Sequence, residues 1–261
     1  MNPLRLERIG GTAVLTMNRP DQRNALDDSM RDGLVAALAE LRADPAVKAV
    51  VLTGAGGHFC AGGDVKAMSG KAGPLETRAR MQDLARWVDD LIDLEKPVIA
   101  AVDGVAFGAG LSLALAADFI IAAPTARFCC VFARLGFVPD AGAMYLLPRA
   151  IGLARAKDMA FSARVVDAQE ALAIGLVQQV CEGEALKTAL AFAERFHSAP
   201  TGAIGIAKTV MNRAFESERR DVYAQEATAQ ALLRESEFHK EAVRRFVAKE
   251  APLYQWPDNK R

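Results

Sequence analysis

The chain has 261 residues, of which 51% are hydrophobic, and its 32 lysines and arginines balance 32 acidic residues. This length and composition allow one main domain with a large core and an appendage. Zero net charge argues against a nucleic-acid partner, and no apolar run approaches the ~20 residues of a membrane span. We therefore expect neither nucleic acid nor a membrane among its partners.

The cysteines and histidines form no metal-binding pattern. The four cysteines are Cys60, Cys129, Cys130 and Cys181, and the three histidines are His58, His197 and His239. No CxxC spacing occurs and the histidines lie far apart in the sequence, so we predict no metal site. The adjacent cysteine pair does not suit an ordinary structural disulfide, and the N-terminus lacks the apolar segment of a secretory signal. Both features are typical of a cytoplasmic protein.

The first part of the chain predicts a hairpin, a polar loop and a helix. Residues 4–9 and 13–17 are two short strands joined by a glycine pair. A polar loop with two arginines follows over residues 18–24. Leucine and methionine at helical spacing then predict an amphipathic helix over residues 27–42, whose role is core packing.

Two glycine-rich loops each follow a buried strand. An apolar run over residues 47–53 leads into residues 54–64, which contain more glycine than a plain connection requires. A second apolar run over residues 98–102 leads into Gly108-Ala109-Gly110 and a buried helix. Free N–H groups at such a helix start bind anions, and close helix packing is the alternative explanation. Together, the loops can direct two N–H donors at one carbonyl oxygen, which is an oxyanion hole.

The remaining elements alternate strands with helices. Apolar residues at helical spacing around Trp87 predict a helix, in which Trp87 is expected to be a core aromatic, with the acyl pocket as its alternative surroundings. Strands are predicted over residues 118–122 and 176–180, and successive helices after residue 184. This rhythm favours stacked turns over one doubly wound sheet, and the absence of GxGxxG excludes a dinucleotide fingerprint.

Asp140 is the carboxylate that stands out in the second half of the chain. It lies in GFVPDAGAMYLLPR, residues 136–149, where Pro139-Asp140-Ala141-Gly142 precedes an apolar helical segment. Taken alone, this pattern predicts that the side chain of Asp140 caps the N-terminus of a helix.

These motifs resemble the enoyl-CoA hydratase/isomerase family, also called the crotonase family. The resemblance rests on FCAGGDV (residues 59–65), on AVDGVAFGAGLSLALAAD (residues 101–118) and on the segment around Asp140, and it covers nearly the whole chain. It implies an α/β fold with a spiral core of repeated ββα units over residues 1–197. It also implies a C-terminal helical region over residues 198–261 that makes trimer contacts, so a homotrimer or a dimer of trimers is expected.

The same resemblance implies an acyl-CoA site. The oxyanion donors would be the backbone N–H groups of Gly63 and Ala109, which would hold the thioester oxygen of a coenzyme A substrate. Coenzyme A would thus enter as part of the substrate, with no permanently bound cofactor. Arg23 would lie beside the coenzyme A phosphates. The other residues expected to contact substrate are Ala61, Asp64, Val65, Phe132 and Lys249.

The predicted chemistry depends on which carboxylates are present. Hydratases of this family use two glutamates, and the matching positions here hold Ser112 and Phe132, so two-glutamate water addition is not expected. In isomerases of the family, including 1,2-epoxyphenylacetyl-CoA isomerases, an aspartate in a GxVPDxG context is the acid/base. In 4-chlorobenzoyl-CoA dehalogenase the corresponding aspartate is a nucleophile. Asp140 occupies this position.

The sequence therefore predicts an acyl-CoA isomerase that shifts a double bond, or rearranges a ring-type enoyl or epoxy acyl group, with Asp140 as acid/base. The subgroup suggests a ring-bearing or conjugated substrate from aromatic-acid breakdown. Two alternatives stay open. One is an enoyl-CoA hydratase or hydrolase that uses Asp140, and the other is a non-catalytic binder of acyl-CoA.

Overall fold

The computed structural model describes residues 2–64 and 73–256. Over these residues the chain forms a six-stranded and a three-stranded sheet surrounded by helices. The strands are β1 (Leu4–Ile9), β2 (Thr12–Met17), β3 (Ala49–Gly54), β4 (Val98–Val102), β5 (Val105–Phe107), β6 (Phe119–Ala122), β7 (Arg127–Cys129), β8 (Val165–Asp167) and β9 (Gln179–Val180). The helices are α1 (Asp28–Ala43), α2 (Pro74–Ile92), α3 (Ala109–Leu115), α4 (Ala143–Ile151), α5 (Leu153–Ser162), α6 (Ala168–Ala173), α7 (Ala185–Glu194), α8 (Thr201–Asn212), α9 (Arg219–Arg234) and α10 (Glu237–Ala248). Short 3-10 helices cover Pro20–Gln22 and Val131–Leu135.

The large sheet has the strand order β1-β2-β3-β4-β6-β9. Strands β1 and β2 form the predicted antiparallel hairpin, and the other pairings are parallel. Parallel strands are usually buried on both faces and therefore read as continuous apolar runs. The runs in β3 and β4 follow this rule, since their residues are buried except for Gly54 at the end of β3.

Alternate residues of the large sheet enter two separate cores. Val50 and Leu52 of β3 join the main core, which also takes in α1, α2 and α3. Val51, between them, faces the opposite side and packs in a second core. There α7 presents alanines at every fourth position, Ala185, Ala189 and Ala193, which are all fully buried. Small side chains let this helix lie close against the strands.

The small sheet was not predicted as a separate layer, because its strands β5, β7 and β8 have only three residues each. Strand β5 pairs in parallel with β7, which pairs antiparallel with β8. The chain passes from β4 through the turn at Asp103-Gly104 into β5 and then into α3, so that one ββα unit places a strand in each sheet. The expected α/β fold with a core built from ββα units is confirmed.

The C-terminal helices differ in how closely they join the core. Helix α8 is tied to it by Lys208, whose Nζ lies 2.8 Å from the Asp118 carboxylate and donates to the carbonyl of Lys96 at 3.1 Å. Helices α9 and α10 bury none of their residues. Trp256, beyond α10, returns to α7 and packs edge-on against Phe192 at 5.6 Å. The domain boundary at residues 197 and 198 stays a prediction.

Two further expectations can be compared with the described residues. The predicted strand over residues 176–180 is shorter than expected, since only Gln179 and Val180 pair with β6. The N–H groups of Leu176 and Val177 instead donate to the carbonyl of Ala171 at the end of α6. In the part of the chain that the structure describes, no helix combines the length and hydropathy needed to span a bilayer.

Candidate active site

Asn24 holds the first glycine-rich loop in place. This residue is fully buried, with a positive φ of 57°. Its Nδ2 donates to the carbonyls of Ala55 (2.9 Å) and His58 (2.7 Å), and its Oδ1 accepts from the N–H of Arg19 at 2.9 Å. The buried amide therefore joins the polar loop after β2 to the loop after β3. Sequence reasoning missed this link, since Ala55 and His58 lie more than 30 positions from Asn24.

The two glycine-rich loops meet at Gly62. A Cβ atom on Gly62 would lie 2.9 Å from the carbonyl oxygen of Phe107 and 3.6 Å from the backbone nitrogen of Ala109, and its φ is +107°. Only glycine combines that backbone conformation with so close an approach. Gly63 follows directly, and its position is fixed because the N–H of Leu26 donates to Gly62 O (2.8 Å) and that of Asp64 to Leu26 O (2.9 Å).

The proposed oxyanion donors both have free N–H groups within the part of the chain that the structure describes. Neither the N–H of Gly63 nor that of Ala109 donates to a protein acceptor there, whereas the neighbouring N–H groups of Ala61, Asp64 and Gly108 each have a backbone partner. Ala109 is the first residue of α3, where the helix itself supplies no acceptor. Two free donors therefore lie on adjacent segments, an arrangement that can stabilise negative charge on a carbonyl oxygen.

Ser112 connects α3 to the segment that carries Asp140. Its side chain is fully buried one turn after Ala109, and its hydroxyl donates to the carbonyl of Asp140 at 2.9 Å. The same carbonyl accepts the N–H of Ala143 at 3.0 Å, at the start of α4. Ser112 thus fixes the backbone of Asp140 relative to the helix that begins at Ala109.

The prediction that Asp140 caps a helix with its side chain is wrong. Helix α4 begins at Ala143, its N-cap residue is Gly142, and no side chain donates or accepts at that cap. The reason is the intervening turn, since Ala141 and Gly142 both have positive φ, 49° and 83°. Two left-handed residues redirect the chain and leave the carboxylate of Asp140 free of the helix start.

The carboxylate of Asp140 is half-buried, and one of its oxygens is cut off from solvent. Its Oδ1 is buried and has no partner among the described residues. Burial raises the pKa of Asp140 above the ordinary aspartate value, while the positive charge of Arg31 on α1 acts in the opposite direction. The charge of Asp140 is in turn felt by Cys130, whose pKa is raised to about 11 by burial, by Cys129 and by Asp140. Cys130 is therefore a neutral thiol beside a candidate base.

Phe132, in the 3-10 helix after β7, packs beside the start of α3, and its contact with the acyl group stays a prediction. It is 8% exposed, and its ring atom Cζ lies 3.9 Å from where a Cβ of Gly108 would be. Ser112 and Phe132, the residues at the positions of the hydratase glutamates, therefore both adjoin this helix start. Neither can accept and return a proton as a carboxylate does.

Four further residues are expected to contact the rest of the substrate: Arg23, Ala61, Asp64 and Val65. Arg23 is exposed, and its guanidinium makes no hydrogen bond or ion pair with the residues described, while its carbonyl accepts the N–H of Ala61 at 2.9 Å. Asp64 faces Arg19, with Oδ2 3.0 Å from the guanidinium Nη2. Val65 lies outside the described residues. Contacts of Ala61 and Asp64 with substrate stay predictions.

Lys249 is the last residue expected to contact the substrate. It follows the last turn of α10 with a φ of 57°, and it is exposed. The neighbouring Glu250 pairs with Arg244 at 2.7 Å. No hydrogen bond or ion pair among the described residues joins Lys249 to the two glycine-rich loops, so its contact with substrate stays a prediction.

Sequence reasoning also missed Arg19 and Arg31. The guanidinium of Arg19 donates to Ala25 O (2.6 Å) and lies 3.2 Å from the Asp27 carboxylate, so it holds the polar loop against α1. Arg31 stands in register with Leu34, Leu38 and Leu41, the apolar stripe of α1. A cation within such a stripe is the signal that could have identified it. In the part of the chain that the structure describes, no cluster of histidine, cysteine or carboxylate side chains could hold a metal ion.

Comparison with known proteins gives consistent results along the whole chain. The Enoyl-CoA hydratase/isomerase family matches residues 7–258. The 1,2-epoxyphenylacetyl-CoA isomerase of Escherichia coli (strain K12) is 36% identical over 250 residues, which cover 94% of this chain and 95% of that protein. The mitochondrial methylglutaconyl-CoA hydratase of Homo sapiens is 34% identical over 258 residues, covering 95% of this chain and 75% of that protein.

Solved structures agree with this result. The crystal structure of an enoyl-CoA hydratase/isomerase from Cupriavidus metallidurans CH34 superimposes with a TM-score of 0.94 at 37% sequence identity. The alignment covers 100% of this chain and 99% of that one.

Proposed function

Since this chain belongs to the enoyl-CoA hydratase/isomerase family, we propose that it is an isomerase of unsaturated acyl-CoA thioesters that uses Asp140 as its single acid/base. The observation that carries the proposal is the state of the half-buried Asp140 carboxylate, whose pKa is raised and whose buried Oδ1 has no hydrogen-bond donor among the described residues. A carboxylate in these surroundings is a stronger base than one in water, and its free oxygen is available to a C–H group of the substrate.

The proposed reaction begins with activation of the thioester. The carbonyl oxygen accepts hydrogen bonds from the N–H groups of Gly63 and Ala109, which lowers the energy of an enolate. Asp140 removes a proton from a carbon next to the double bond, and the electron pair of that C–H bond moves into a conjugated dienolate whose negative charge rests on the thioester oxygen. Asp140 then returns the proton to a different carbon, and the double bond is displaced with no change in mass.

Ser112 and Phe132 act in this scheme without moving protons. Ser112 holds the Asp140 backbone through its 2.9 Å hydrogen bond, so the base keeps a fixed position relative to Ala109. Phe132 provides a buried apolar surface at the same helix start. Such a surface suits an acyl chain with a conjugated or ring-type structure. It also offers no group to position a water molecule for addition.

Coenzyme A takes part as a portion of the substrate in this proposal, and no permanently bound cofactor is needed. Arg23 is exposed and unpaired among the residues described, which suits a contact with the phosphates of the nucleotide. Lys249 would reach the nucleotide only if α10 of one protomer lies beside the site of another. Apolar side chains exposed on the C-terminal helices support such an assembly, as a homotrimer or a dimer of trimers. They include Met211, Leu232, Phe246 and Val247.

A hydratase that uses Asp140 is the second candidate, since hydratases of similar identity are among the relatives. The two reactions are separated by incubating the protein with 2-enoyl- and 3-enoyl-CoA thioesters and measuring product mass and ultraviolet spectrum. An isomerase leaves the mass unchanged and alters conjugation, whereas a hydratase adds the mass of water. Hydration of 2-enoyl-CoA without isomerisation of 3-enoyl-CoA would contradict the proposal. Binding of every thioester without turnover would identify a non-catalytic binder instead.

A further inference from the structure

Three polar side-chain atoms in the described part of the chain are buried and have no hydrogen-bond partner. They are Nε of Arg31, Nε1 of Trp87 and Oδ1 of Asp140. A buried polar group without a partner typically costs about 1–3 kcal/mol, and folded proteins leave few of them. Ordered water or a bound ligand can supply the partners of such groups.

The three atoms belong to elements that pack against one another. Helices α1 and α2 run side by side, because Arg80 and Arg31 share the carboxylate of Asp28, at 3.4 Å and 3.1 Å, and Arg42 reaches Asp90 at 2.7 Å. Arg31 is one turn along α1 from Asp28. The indole of Trp87 is two turns along α2 from Arg80.

Asp140 adjoins both helices. The charge of Arg31 acts on the carboxylate of Asp140. Val88, which follows Trp87 on the buried face of α2, has its Cγ1 3.7 Å from where a Cβ of Gly142 would be. The turn that carries Asp140 is therefore packed against the α2 face that carries Trp87. The two unused N–H donors and the candidate base adjoin one region of the fold.

A plain hydrocarbon acyl group has no acceptor for the N–H groups of Arg31 and Trp87. The residue Trp87 is only 4% exposed, and it packs with Leu84, Val88 and Leu91 in the main core. A hydrocarbon acyl group there would leave the indole N–H and the guanidinium Nε–H unpaired. An oxygen atom on the acyl group would accept from them.

We propose that Arg31 and Trp87 bind a neutral oxygen atom on the acyl group, beyond the thioester, and thereby select oxygen-bearing acyl-CoA thioesters. This inference rests on the proposed function, since it places the acyl group beside Asp140. A neutral oxygen, as in a hydroxyl, epoxide or carbonyl group, is favoured over a carboxylate on grounds of charge. The cations of Arg31 and Arg80 are already balanced by Asp28 and Asp140, so a further anion would leave the region negative.

The test measures binding of saturated thioesters, which have no double bond to displace. The probes are hexanoyl-CoA, hexanoyl-CoAs with one hydroxyl at successive carbons beyond the second, and adipyl-CoA, titrated by calorimetry. The wild-type protein should bind at least one hydroxylated probe about tenfold tighter than hexanoyl-CoA, the effect of one hydrogen bond from a charged donor. Trp87→Phe and Arg31→Met should each reduce that preference and leave the Kd for hexanoyl-CoA within about twofold.

Matched controls are Arg42→Met, on the same helix but in a surface ion pair, and Trp256→Phe, in the aromatic cluster on α7. Both should keep the preference. The inference is overturned if the wild type prefers no hydroxylated probe, if the preference survives in both Trp87→Phe and Arg31→Met, or if adipyl-CoA binds tightest. Isomerisation of unsaturated thioesters alongside such a result would leave the proposed function standing. Failure of every thioester to bind would contradict both.

Discussion

Replacing Asp140 with asparagine should separate the activity of this protein from its stability. The substitution keeps the size of the side chain and the backbone carbonyl that accepts from Ser112, and it removes the base. If Asp140 moves the proton in both steps, isomerisation should fall by about 10²–10⁴-fold, the usual contribution of a positioned acid/base. Binding of coenzyme A thioesters should stay near the wild-type level, because the glycine-rich loops are unchanged.

The same substitution should stabilise the folded protein at pH values above the raised pKa of Asp140. A buried polar group without a partner typically costs about 1–3 kcal/mol, and a charged group costs more. Oδ1 of Asp140 is such an atom, and asparagine replaces its charge with a neutral amide. A gain of about 1 kcal/mol would raise the midpoint of thermal unfolding by about 2–4 °C in a chain of this size.

The gain should depend on pH in a defined direction. Since burial raises the pKa of Asp140, the folded wild type keeps its proton to higher pH than the unfolded chain does. Its free energy of unfolding therefore decreases as pH rises between the unfolded and the folded pKa. The advantage of Asp140→Asn should thus be full above the raised pKa and should shrink as pH falls through it.

Calorimetric unfolding across this pH range, together with a 3-enoyl-CoA isomerisation assay, measures both effects. Asp103→Asn is the matched control, because burial also raises the pKa of Asp103 but its carboxylate accepts the N–H of Ala185. That variant should retain turnover. The reasoning is refuted if Asp140→Asn isomerises 3-enoyl-CoA at the wild-type rate. A stability advantage that grows on acidification would refute the electrostatic part alone.

Three further predictions concern the oxyanion donors, the ligand and the assembly. Ala109→Pro deletes one donor at the first position of α3, where proline is compatible with a helix. The protein should fold with its far-ultraviolet spectrum unchanged, and turnover should fall by ~10²–10³-fold. Full activity in a folded variant would place the donors elsewhere. An acyl-CoA thioester at one hundred times its Kd should stabilise the protein by about 2.7 kcal/mol in thermal unfolding, and the absence of any shift with short, branched and aryl thioesters would contradict the acyl-CoA site. Light scattering at micromolar protein should give the mass of a trimer or hexamer, because α9 and α10 bury none of their residues within one protomer, and a monomeric mass would contradict this assembly.

Features set by local sequence were predictable. The periodicity of α1 and the capping side chain of Asp27, which accepts the N–H of Met30 at 2.9 Å, both follow from neighbouring residues. The buried runs of β3 and β4 were equally clear, and the combination of glycine-rich loops with the Asp140 segment identified the family. Local patterns of this kind need no knowledge of distant contacts.

Features set by distant contacts were not predictable from one sequence. The Asp140 segment has the local pattern of a helix cap, yet Ser112, 28 positions earlier, holds its carbonyl while a left-handed turn redirects the chain. Asn24 and Arg19 act on residues more than 30 positions away, Ala55 and Asp64 respectively. Their roles depend on how the loops are brought together.

The hydrogen bond from Ser112 to Asp140 limits how this scaffold can change its chemistry. The resemblance to the family places a hydratase glutamate at position 112, and this chain has a fully buried serine there, whose hydroxyl donates to the backbone carbonyl of the proposed acid/base Asp140. A Ser112→Glu exchange would insert a larger, charged side chain and remove that support in the same step. Adding a carboxylate at position 112 would therefore weaken the support of Asp140, and the turn at Asp140 would have to be redesigned in the same variant.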